Sequence, residues 1–145
     1  MINGFFRAGV RFPAPHVRAY VLVPELSRFW GALNFLVDTG SGSTCAHADD
    51  TVRQFAVPPA RLADASLWQR RETLEGVGGA ATYYVVRAQF AFVEDNRSVV
   101  RISSDLRIAQ LTRMSEQLPS ILGWDVLQDF TFSTDWRTRI VRLES

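Results

Sequence analysis

Lysine is absent. All sixteen basic residues are arginine, set against fifteen acidic ones for a formal net charge of +1. They are scattered along the chain, and the densest group is Arg137, Arg139 and Arg142. Nucleic-acid binders concentrate basic charge on one face, so no nucleic-acid partner is expected. The alternating C-terminal arginines read as the solvated face of a strand. Cysteine is almost absent too, and a single thiol, Cys45, excludes an intrachain disulfide. With only His16 and His47 to add, the run Cys45-Ala46-His47 does not close a tetrahedral zinc shell, and no metal or other cofactor is expected. No stretch approaches the roughly eighteen apolar residues of a membrane span. Met1–Val10 carries Arg7 and lacks the apolar run of a secretory signal, so a cytoplasmic location is expected. Neither glycine cluster carries the Gly-Lys-Ser/Thr element of a phosphate loop, and Ser41 and Ser43 lie outside any Gly-x-Ser-x-Gly elbow.

What is present suits one folded domain over residues 1–145, with its core at about 17–143. The hydrophobic share is 47% and the charged share 21%, both ordinary for a globular chain. A chain of 145 residues can bury roughly two-thirds of its unfolded surface. Val17–Val23 is rich in β-branched and aromatic residues and closes at Pro24. Ala32–Val37 is nearly all apolar and predicts a strand buried on both faces. Asp49–Val57 predicts a short helix stopped by Pro58 and Pro59. Leu62–Arg71 fits helix or strand. Glu75–Gly79 is a turn between two strand-like runs, the second being Ala81–Val93, and Ser98–Ile108 predicts a further strand. Trp124, Leu127 and Phe130 recur at helical spacing, and Thr131–Thr134 with Thr138–Leu143 read as a closing hairpin. Many short strands, glycine-bearing turns and one late helix predict a mostly-β barrel.

Two segments point to chemistry. Leu36-Val37-Asp38-Thr39-Gly40-Ser41 sets a carboxylate in a tight turn at the end of an apolar strand, followed by small hydroxyl residues. Ile121-Leu122-Gly123 is an apolar run leading into the Trp124–Phe130 helix, and Gly76-Val77-Gly78-Gly79 lies between the two. In this order the trio resembles the retropepsin-like aspartic proteases, the retroviral proteases and their bacterial and eukaryotic relatives. The closing Phe132–Trp136 and Arg139–Leu143 are similar to the final strands of bacterial members, and the resemblance covers roughly Val17 to Leu143.

The resemblance implies a small closed β-barrel with one short C-terminal helix, working as a twofold homodimer. Aspartic proteases share one proton between two carboxylates, one acting as base toward water and the other as acid toward the scissile carbonyl. This chain has a single Asp-Thr-Gly, so each subunit would supply one Asp38 across the axis. Thr39 would bond across to the partner's turn, and Gly40 would let backbone approach the dyad. Gly76, Val77, Gly78 and Gly79 would form a flap over an extended peptide, with the Val77 amide reaching substrate through a water. Ser41, as a hydroxyl donor beside the carboxylate, would favour its charged form and give an acidic optimum.

Retroviral members often carry an Asp two residues after the Asp-Thr-Gly glycine, paired to an Arg after the late glycine. Here those places hold Gly42 and Trp124, with Trp124 expected to pack there as an apolar substitute. Asp125 reads as a helix N-terminal charge and not a second catalytic acid. Two functional classes follow: an endopeptidase acting on protein or peptide, or a catalytically inactive module of the same fold that binds peptide or dimerises.

Overall fold

The computed structural model describes residues 1–7, 13–76, 79–113 and 119–145. Strand β3 (Pro15–Leu22) turns Val17, Ala19 and Val21 inward and Arg18 and Tyr20 outward, the period-two alternation of a half-buried strand. It pairs antiparallel with β4 (Gly31–Val37), with Val17 opposite Phe35 and Ala19 opposite Leu33. The expected burial of both faces of β4 is corrected. Gly31, Leu33, Phe35 and Val37 are buried, whereas Asn34 is exposed and Ala32 and Leu36 are half-covered. At Ala32 helix α1 (Ala48–Phe55) lies alongside, its Gln54 Oε1 accepting from the Ala32 amide at 3.1 Å.

The chain is mostly β, with mixed sheets and few, short helices. The long strand β7 (Gly79–Val93) pairs antiparallel with β8 (Val99–Ala109), from Tyr83 opposite Ala109 to Val93 opposite Val99. It also pairs with β3 through Tyr20–Leu22 and with β6 (Arg71–Gly76) on its other side. The two-residue strand β9 (Ile121–Leu122) lies between β4, to which it is parallel, and β5 (Cys45–Ala46), to which it is antiparallel. Strand β5 in turn runs parallel to β8. The pairings β3–β4–β9–β5–β8–β7 therefore return to β3, making a ring of six strands. Phe35, Phe90, Phe92, Leu106, Ile108 and Leu122 fill the core and are fully buried. Each such side chain contributes on the order of 2 kcal/mol of apolar transfer.

Outside the ring, β1 (Ile2–Asn3), β11 (Ile140–Glu144) and β10 (Thr131–Asp135) form a three-stranded sheet in the order β1–β11–β10, and β2 (Phe5–Phe6) pairs with β3. Strands β1, β2 and β5 are two residues each, too short to show a periodicity. Helix α1 ends at Phe55 because Ala56 turns left-handed at φ 52°, and Pro59 opens a further short helix, α2 (Pro59–Ala63), at the position proline favours. The segment Leu62–Arg71 resolves into the end of α2, a 3-10 turn at Ala65–Leu67, and the start of β6. Trp68 and Tyr84 are buried in a parallel ring stack with centroids 4.4 Å apart. Of the C-terminal arginines, only Arg142 lies on a strand; Arg137 and Arg139 occupy the turn between β10 and β11, and Arg139 sits over the rings of Phe6 and Trp136. Among the described residues, no helix is long and apolar enough to cross a membrane.

Candidate active site

Asp38 stands where β4 ends. Its amide still donates to the Leu122 carbonyl at 3.1 Å, so the strand is held to its last residue before the chain turns. The turn is closed by the side chain itself: Asp38 Oδ1 accepts from the Gly40 amide at 2.9 Å. A side chain at Gly40 would crowd that carboxylate, since its Cβ would lie 3.2 Å from Oδ1. Asp38 is half-exposed while Thr39 and Gly40 are exposed, so the three sequence-predicted catalytic positions share one open surface. No basic side chain among the described residues forms an ion pair with Asp38.

The turn rests on the segment that follows β9. The Trp124 amide donates to the Ser41 carbonyl at 2.9 Å and the Asp125 amide to the Gly42 carbonyl at 3.2 Å. The Trp124 indole N–H donates to the Thr39 carbonyl at 2.6 Å. Trp124 is thus not an apolar filler, as expected; it is 45% exposed and acts as a hydrogen-bond donor to the turn. Asp125 opens helix α3 (Trp124–Leu127), which is shorter than the predicted helix because Asp129 and Phe130 continue through tighter i to i+3 turns. Its carboxylate is fully engaged. Oδ1 accepts from the Thr44 hydroxyl at 2.5 Å, and Oδ2 from the Thr44 amide at 3.0 Å and from Arg107 Nη1 at 3.4 Å. The Thr44 hydroxyl in turn accepts from the Gly123 amide at 3.0 Å. These contacts commit the carboxylate to Thr44 and Arg107 within the chain.

Ser41 corrects a second expectation. Its hydroxyl donates to the Ser43 carbonyl at 2.8 Å and accepts from the Ser43 amide at 3.3 Å, so it braces the turn and does not point its proton at Asp38. The acidic optimum argued from a Ser41–Asp38 contact loses that ground. Cys45, one strand further on, is 7% exposed, and burial pushes its thiol up to about 12, with Asp125 and Glu72 adding to the shift and Arg107 opposing it. It is a core thiol and not a nucleophile. His47 caps α1, its Nδ1 accepting from the Asp49 amide at 3.0 Å.

The glycine cluster joins β6 to β7, with Gly76 opposite Gly79; Val77 and Gly78 lie outside the described residues. Gly79 adopts φ 104°, a conformation that favours glycine. Strand β8 stops at Ala109 opposite Tyr83, and the Gln110 amide still donates to the Thr82 carbonyl at 3.1 Å, so among the described residues Gly79–Ala81 pair with β6 alone and the hairpin end projects beyond the ring as a short two-stranded ribbon. A polar cleft of about 460 Å³ lies elsewhere, between α1, β4 and β2, and includes Arg7, Asn34 and Arg53 but no residue of the Asp38 turn.

Sequence reasoning found Asp38, its turn and the late glycine, but not the set Thr44, Glu72, Arg107 and Asp125. Their contacts span 18 to 81 positions, and no local pattern marks them. A scan of protein families and a search of curated proteins both returned no match.

Proposed function

We propose that the chain is one subunit of a retropepsin-like aspartic endopeptidase, a small closed β-barrel that works as a twofold homodimer with an Asp38 pair at its axis. The observation that carries this reading is the Asp38 turn itself. A half-exposed carboxylate is pinned by a backbone amide at the end of a ring strand, beside Thr39 and Gly40 on one open surface. The two motifs that suggested the resemblance are also hydrogen-bonded neighbours, with Leu36 opposite Ile121 and Val37 opposite Leu122. Asp125 is fully engaged within the chain, so the second catalytic acid comes from the other copy.

In the assembled site two like charges about 3 Å apart do not both ionise readily, so the working pair shares one proton. The ionised Asp38 takes a proton from the attacking water while its protonated mate donates to the scissile carbonyl. The two apparent pKa values belong to the pair. The exposed Thr39 has no hydroxyl partner among the described residues, which leaves it available to bond across the axis. The projecting β6–β7 ribbon supplies free strand edges against which an extended peptide adds a strand as the hairpin closes.

The test is cleavage of casein as an unstructured substrate. The wild-type chain cleaves it, a statine-type inhibitor blocks cleavage, and Asp38→Ala abolishes it with unchanged far-UV circular dichroism. Cleavage that survives Asp38→Ala would remove the proposed machinery. A folded wild type without cleavage would favour the inactive binding or dimerisation module.

A further inference from the structure

Arg107, on β8, is bound at both ends of its guanidinium. Nε donates to Glu72 Oε2 at 3.0 Å, and Nη1 to Asp125 Oδ2 at 3.4 Å. Its side chain is only 16% exposed, and those of Glu72 and Asp125 are 40% and 21% exposed. The two carboxylates come from different parts of the molecule. Glu72 lies on β6, the outer strand of the glycine-tipped hairpin, opposite Tyr83. Asp125 holds the amide and hydroxyl of Thr44 and so fixes the end of the Asp38 turn. Arg107 is also the ladder partner of Cys45, and its amide donates to the Thr44 carbonyl at 3.1 Å. Backbone and side chain of one residue therefore reach both the turn and the hairpin.

We infer that Arg107 is a positioning residue that links the β6–β7 hairpin, through Glu72, to the Asp38 turn, through Asp125 and Thr44, so that the two parts of the site shift together. The inference rests on the peptidase reading for its consequence in catalysis, though not for the coupling itself. A planar guanidinium serves two carboxylates at once, which a lysine ammonium on a flexible stem does poorly. Both links are partly shielded, so removing one partner leaves the other charge incompletely paired. Peptide docking under the hairpin then moves Glu72, and the strain passes to Asp125 and the turn that carries Asp38.

Amide hydrogen exchange on the whole chain tests the coupling without reference to activity. Glu72→Gln, a substitution at a partly exposed site, is expected to speed exchange of the Thr44 and Gly123 amides about fivefold, although Glu72 touches neither. The double variant Glu72→Gln/Asp125→Asn is expected to exchange no faster than Asp125→Asn alone, because the effect of Glu72 reaches Thr44 through Arg107 and Asp125. Unchanged Thr44 and Gly123 exchange in Glu72→Gln, or additive effects in the double variant, would overturn the inference. In the catalytic arm, Arg107→Met is expected to lower kcat on a peptide substrate about tenfold with KM within about twofold, and Arg107→Lys to recover part of the loss. A wild-type kcat in folded Arg107→Met also overturns the positioning role. If the wild type cleaves nothing, the peptidase reading fails and the exchange result still decides the coupling.

Discussion

A methyl group added at Gly123 meets the carbonyl carbon and oxygen of Ser43 at 2.5 Å and its nitrogen at 2.8 Å. The backbone there is extended (φ −103°), so the demand for glycine is one of space and not of torsion. Both obstacles are main chain and neither yields by rotating a side chain. Gly123→Ala is expected to cost about 3 kcal/mol, seen as a fall of about 10 °C in Tm. A variant that melts with the wild type would mean that Ser43 and Gly123 are further apart than described. Cys45 gives a second prediction at this scale. Its folded pKa of about 12 lies above the ordinary 9.0, so the folded state holds the proton more tightly. That contribution to stability is complete below pH 9.0 and is lost as pH rises toward 12. Cys45→Ala is expected to flatten the stability curve between those limits in urea titrations. Native protein should also resist iodoacetamide at pH 8 while the unfolded chain labels promptly.

At the scale of elements, α2 is fastened to β7 by Tyr84 and to the segment ahead of β6 by Trp68. The Tyr84 hydroxyl donates to the Leu62 carbonyl at 2.6 Å, and the Trp68 indole to the Arg61 carbonyl at 2.8 Å. The Leu111 amide also reaches the Leu62 carbonyl at 3.2 Å, so Tyr84→Phe removes one of two partners and leaves the other. The expected loss is about 1 kcal/mol, read as a lower urea midpoint with unchanged slope. A loss near 3 kcal/mol would mean that the carbonyl is left orphaned. The long strands were legible because their patterns run for several residues: Val17, Ala19 and Val21 alternate with Arg18 and Tyr20, and Tyr83–Val93 is dense in β-branched and aromatic residues. Strands β1, β2, β5 and β9 are two residues each and carry no pattern of their own. They exist because a distant partner offers a ladder. The same holds for the misread face of β4, whose apolar Ala32 and Leu36 are covered only in part. Asp38 was legible because a turn announces itself locally. The Arg107 bridge was not, because its charges meet only after the ring has closed.

At the scale of the whole molecule, the reading depends on association. On that reading each chain supplies one Asp-Thr-Gly carboxylate, Asp38, and the second would come from a symmetry mate. Sedimentation equilibrium is expected to show a monomer–dimer equilibrium, shifted toward the dimer by a statine-type inhibitor, since a ligand that binds only the dimer stabilises it by mass action. A strict monomer at millimolar concentration, with inhibitor present, would leave the hydrolysis without its second acid. The net charge of +1 poses little long-range repulsion to such pairing.

The placement of β9 has a consequence for biosynthesis. Residues 36 and 37 are laid down early, yet the strand that flanks them, the Leu122 carbonyl that accepts from Asp38, and the carboxylate that grips Thr44 all arrive more than eighty residues later. A nascent polypeptide that has left the ribosome only as far as β8 carries the aspartate with the local bonds of its turn but without the long-range contacts that hold that turn in place. Contacts of such long sequence separation form late and slowly. Any hydrolytic capacity resting on Asp38 is thus withheld until residues 121–125 have been made and have reached the turn, a delay that spares neighbouring proteins.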